Sequence, residues 1–119
     1  MRIYEGFQKT EMLEAITRSP RGPDFENLNQ YARDHGLLDV ERIAVYFEGI
    51  GALLEQNLID IELLDSLFGP MLEGAWKPLK PVIHAMRESV GQPFLFSHFE
   101  YLVNRLDAYR KAAEARHGH

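Results

Sequence analysis

The chain contains no cysteine, which excludes a disulfide scaffold, thiol catalysis and thiolate metal sites and agrees with a reducing compartment. No window approaches the run of about 20 apolar residues that spans a bilayer. The first residues, Met1 to Phe7, interrupt their apolar character with Arg2, Glu5 and Gly6, so no secretory leader is expected there. No segment of useful length alternates apolar and polar residues in the period of a strand, and there is neither an internal repeat nor a low-complexity stretch. A nucleophile elbow and a glycine-rich phosphate loop are also missing, so no motif implies catalysis or a cofactor. Positive charge is scarce: the net charge is -5 and the pI about 5.5, which repels phosphate backbones and argues against nucleic acid as a partner.

What is present suits one globular domain. The 119 residues are 45% hydrophobic and 26% charged, enough apolar material for a single core and too short a chain for two. The expectation is an all-α, single-domain bundle of five or six helices over residues 1–119. Its core runs roughly from 8 to 112, the tail 113–119 frays, and the location is cytoplasmic.

Apolar spacing places the helices. Met12, Leu13 and Ile16 mark a first one between Tyr4 and Thr17, stopped by the cluster Ser19-Pro20-Arg21-Gly22-Pro23. Asp24 is a cap for a second, whose face is Phe25, Leu28, Tyr31 and Ala32 and which ends at Gly36. After Asp39, the residues Val40, Ile43, Ala44, Phe47, Ile50, Gly51 and Leu54 keep a 3-4 alternation to a left-handed stop near Asn57. Val45, Tyr46, Ala52 and Leu53 make the flanks of this helix apolar as well, so it is read as the central one. Asp60 caps a short helix that Gly69-Pro70 ends. A kinked long helix then covers roughly 70–90, because Leu72, Trp76, Leu79, Ile83, Met86 and Val90 hold one phase straight through Pro78 and Pro81. Trp76 lies on that stripe and is expected in the core. Ser97 and Glu100 match a capping box for the last helix, with Phe96 and Tyr101 as its hydrophobic staple.

Candidate chemistry collects on two helix faces. Glu41, Glu48 and Glu55 recur every seven residues as an acidic stripe, for which solvation is the plainer reading at Glu41 and Glu55. Gly49 and Gly51 cost a helix interior about 1 kcal/mol each relative to alanine, so a close backbone approach is expected beside Glu48, and with it a cationic partner for that carboxylate, Arg87 first. Lys77, Lys80, His84 and Arg87 form a basic ridge at steps of three and four, suited to a phosphate or an acidic peptide if it is more than solvated surface. His84, Glu88 and His98, with Glu48 or Glu100, are the histidines and carboxylates to consider for a metal, but they lack the spacing of bundle-borne sites, so no metal is expected. Glu48, Lys77, Lys80, His84 and Arg87 are therefore the candidate ligand- or partner-binding residues.

The ordered segments Val45-Tyr46-Phe47-Glu48-Gly49-Ile50-Gly51, Leu67-Phe68-Gly69, Trp76-Lys77-Pro78-Leu79-Lys80-Pro81, Met86-Arg87-Glu88 and Phe99-Glu100-Tyr101-Leu102 resemble a family of small prokaryotic proteins catalogued as a domain of unknown function, number 4760. The resemblance covers roughly Asp39 to Leu106. It implies a helical fold, carries no assigned activity, and singles out Glu48, Trp76, Arg87 and Glu100 by motif. Members of that family often bear an N-terminal membrane segment; this chain departs in showing none and in having prolines at both 78 and 81. The expected function is a non-catalytic interaction or regulatory module that takes a protein partner or a second copy of itself. The alternative is a small-ligand binder or enzyme with a polar site around Glu48.

Overall fold

A computed structural model describes residues 27–116. Their regular structure is all helical, in four helices: α1 (Leu28–His35), α2 (Leu38–Glu55), α3 (Ile61–Val90) and α4 (Ser97–Arg116). The count differs from the five or six expected for whole-chain reasons. The helix predicted between Tyr4 and Thr17 and the Asp24 cap lie outside the described residues, and the two helices predicted on either side of Gly69 are both present, counted together as α3 although the backbone breaks between them at Gly69.

Helix ends follow local chemistry. Asn27 caps α1 by accepting from the Gln30 N–H at 2.8 Å, and Asp60 caps α3 by accepting from the Leu63 N–H at 3.3 Å, as its position predicts. The start of α2 differs from expectation. Leu37 occupies the cap without a side-chain acceptor, and Asp39 falls with Glu41 in the first turn, where negative charge complements the helix dipole. Both long helices before α4 stop in the same way. Asn57 and Gly91 adopt left-handed backbone, with φ of 61° and 67°. The residue after each donates back across six residues, Leu58 to the Leu53 carbonyl and Gln92 to the Arg87 carbonyl.

The kink in α3 sits at Gly69, with φ 4° and ψ -108°, and not at Pro78 or Pro81. Pro70 disfavours helical torsions in the residue before it, and a glycine is free to leave them. Beyond that point Leu72, Ala75, Trp76, Leu79, Val82, Ile83 and Met86 are all buried. At about 1.5–3 kcal/mol for each large side chain, this one continuous stripe outweighs the roughly 3 kcal/mol that each internal proline costs. Arg110 of α4 spans the kink, pairing with Glu73 at 3.1 Å on one side and approaching Asp65 at 3.8 Å on the other.

Helix α4 packs extensively against both α2 and α3, so it takes the central place that the sequence suggests for α2. Four rings tie the three helices together. Phe99 stacks on Phe47 at 5.3 Å and meets Trp76 edge-on at 4.9 Å, while Phe47 meets Phe68 edge-on at 5.5 Å. Trp76 is thus in the core, 7% exposed. Among the described residues no element covers the flanks of α2 at Val45 and Leu53, and Val90 leaves the α3 stripe; all three are exposed. Helix α4 runs on to Arg116.

Candidate functional site

The site is the joint where α4 begins against α2. Phe96 stands at the cap position of α4, its carbonyl accepting from the Glu100 N–H at 3.3 Å. Its side chain has no acceptor to offer the free N–H groups of the first turn. Helix α2 supplies one instead. Glu48 Oε1 accepts from the Phe99 N–H at 2.9 Å, placing a carboxylate at the positive end of the α4 dipole. The other oxygen of Glu48 meets His98 Nδ1 at 2.8 Å, and His98 Nε2 meets Glu55 Oε1 at 2.9 Å. His98 is about a third exposed. The hydrogen bond to Glu48, then that to Glu55, raise its pKa above the ordinary histidine value, against a smaller opposing effect of desolvation.

Gly51 makes this approach sterically possible. It lies one turn beyond Glu48 on α2, and a Cβ there would overlap the carbonyl oxygen of His98 and stand 2.6 Å from its carbonyl carbon. The predicted close backbone approach is therefore the start of α4. The partner of Glu48 does come from another helix at a crossing, but it is His98, a cation only when its ring is protonated, and not Arg87.

Arg87 braces the other side of the same turn. Its Nη2 donates to Glu100 Oε1 at 2.9 Å and its Nε to the Leu95 carbonyl at 2.7 Å. The predicted capping box consequently does not form: Glu100 reaches Arg87 instead of the cap backbone, and Ser97 is already the first helical residue. Residues 91–96, tied to α3 where Arg87 bonds Leu95, border an open groove of about 510 Å³ whose remaining wall is Glu48. Within this turn Phe94 is 80% exposed, and Phe96 adopts left-handed backbone, φ 59°, a conformation that costs a residue with a Cβ about 1–2 kcal/mol.

The remaining predicted residues do not converge on this joint. Lys77, Lys80 and His84 lie exposed along α3, and only Arg87 of that ridge reaches the α4 start. Among the described residues no group of three or more histidine or acidic side chains is placed to hold a metal ion. Two participants escaped the sequence reading in these roles. Glu55 is read from the sequence as solvated stripe, and His98 as a metal candidate or a neighbour of Glu48 in a ligand pocket, not as the bridge between two glutamates. The usable signal was Gly51 between glutamates two turns apart, which marks the face where a neighbouring polar group can reach both.

The family described as Domain of unknown function (DUF4760) matches residues 3–106, most of the chain. The chain belongs to the DUF4760 family. The match starts well before Asp39, where the motifs quoted above begin, and ends at Leu106, buried on α4. In this DUF4760 chain the four residues singled out by motif all act on one turn. Trp76 packs on Phe99, Glu48 accepts its N–H, and Arg87 holds Glu100. No curated protein and no solved structure matches the chain. Among the described residues, no helix is long and apolar enough to cross a membrane.

Proposed function

We propose that this DUF4760 chain is a non-catalytic interaction module that binds a partner protein through the turn 91–96. The observation that carries the reading is Phe94, a large aromatic 80% exposed on a turn that α3 braces at Leu95. Arg87 bonds the Leu95 carbonyl, and the neighbouring Phe96 bears left-handed strain, the kind of local cost that proteins retain at binding turns. Val90, 57% exposed, ends α3 just before this turn, and the groove that Phe94 lines offers an open surface for an apolar side chain of a partner. Aromatic residues presented rigidly lose little conformational entropy on binding and are over-represented among residues that dominate interface energies.

A small-ligand or catalytic site at Glu48 is less well supported. Both oxygens of Glu48 are occupied by α4, and the guanidinium of Arg87 is spent on Glu100 and the turn. Polar groups free to converge on a ligand are what such a site requires.

The test compares the wild type with Phe94→Ser as baits on native lysate, with recovered proteins identified by mass spectrometry and circular dichroism confirming that both baits are folded. A partner recovered by the wild type and bound at least about tenfold more weakly by Phe94→Ser is the expected result. Loss of concentration-dependent self-association in the variant would identify the partner as a second copy. Identical recovery and identical association state for both baits would sink the reading.

A further inference from the structure

The His98 ring lies between two carboxylates, Nδ1 facing Glu48 and Nε2 facing Glu55. An ionised carboxylate only accepts hydrogen bonds, and a neutral imidazole carries a single N–H. The neutral ring therefore satisfies one glutamate and points a lone pair at the other. The imidazolium donates to both. Glu48 and Glu55 stand two turns apart on one face of α2, with Gly51 and the His98 backbone pressed together between them, so the ring is held in line with both acceptors by the packing of the main chain.

We propose that Glu48, His98 and Glu55 form a proton-operated latch, in which the protonated ring ties the first turn of α4 to two successive turns of α2 and loss of the proton releases it. The release begins at Glu55. That side chain is the more exposed of the two, 49% against 29%, whereas Glu48 is also tied to α4 by the Phe99 N–H, a bond that weakens only after the Glu55 end lets go.

The surroundings leave the two glutamates in control. The turn 91–96 has no titratable side chain. Helix α3 brings Arg87 to this end of α4, bonded to Glu100 and the Leu95 carbonyl. The α4 dipole disfavours a cation in its first turn, and the paired carboxylates override it, consistent with a ring pKa above its ordinary value. The sign follows by linkage. A group whose pKa is raised on folding contributes stability that is complete below its unfolded value, about 6.5 for histidine, and that is lost as pH rises through the folded value. The latch is closed in mildly acidic solution and opens toward alkaline pH, and it operates whether or not the neighbouring groove takes a partner.

The experiment is an NMR titration of the His98 ring in the full chain, alongside amide hydrogen exchange at Phe99 and Glu100 corrected for the intrinsic pH dependence of exchange. The wild-type midpoint is expected above about 6.5, with protection of both amides falling as the ring loses its proton. In Glu55→Gln the amide can donate to an unprotonated Nε2, so the midpoint moves down and protection persists through it. A wild-type midpoint at or below the ordinary value, an unchanged midpoint in Glu55→Gln, or protection equal on both sides of the wild-type midpoint overturns the latch.

Discussion

Phe99→Ala is expected to destabilise the protein by about 3–5 kcal/mol, the largest single effect that the fold predicts. Phe99 is fully buried, stacks on Phe47 of α2 and takes the edge of Trp76 of α3. Truncation therefore opens a cavity at the point where three helices meet. Neighbouring rings cannot collapse into it cheaply, because Phe47 is also fixed against Phe68. Small domains are stable by only about 5–15 kcal/mol in all, so the variant should unfold at a much lower denaturant concentration. A midpoint equal to that of the wild type would mean that the ring cluster is not the core.

Gly51→Ala should also destabilise, by about 1–3 kcal/mol, and here the sign is as informative as the size. At an unobstructed position inside a helix the same change stabilises by roughly 1 kcal/mol, since alanine is the better helix former. At position 51 the added methyl overlaps the His98 carbonyl, a main-chain group that cannot rotate away. Relief requires the start of α4 to lift from α2, which lengthens the bonds of Glu48 to the Phe99 N–H and of His98 to both glutamates. Chemical denaturation settles the direction, and a stabilised Gly51→Ala would place the α4 start further from α2 than described.

Helices were legible in the sequence wherever one face is buried without interruption. The stripe of Val40, Ile43, Phe47 and Leu54 on α2 and that of Leu72, Trp76, Leu79 and Ile83 on α3 were read in the right phase, and Asn57 and Asp60 were read as the stop and start that they are. Gly69-Pro70 was legible as a helix end, and the backbone leaves helical torsions there, at a residue before a proline that has no Cβ to hold it helical. The further kink expected at Pro78 and Pro81 does not form, because one buried stripe runs through both. The site was legible by residue more than by pairing. Glu48 and its close contact could be inferred from Gly51, but nothing local in the sequence says which helix end fills the gap. A capping box at Ser97 and Glu100 was the strongest local pattern there. Tertiary contacts override it, because Glu48 of another helix supplies the acceptor and Arg87 claims Glu100.

The central claim is that Glu48 is the anchor of α4, bonded to His98 across the helix crossing. A double-mutant cycle of Glu48→Ala and His98→Ala, followed by chemical denaturation at about pH 6, where histidine is largely protonated, measures that link with the common loss of the Phe99 cap cancelled. A charge-assisted bond between groups about one-third exposed predicts a coupling of about 1–2 kcal/mol. Effects that add to within about 0.5 kcal/mol would contradict it, leaving Glu48 and His98 as independent surface residues.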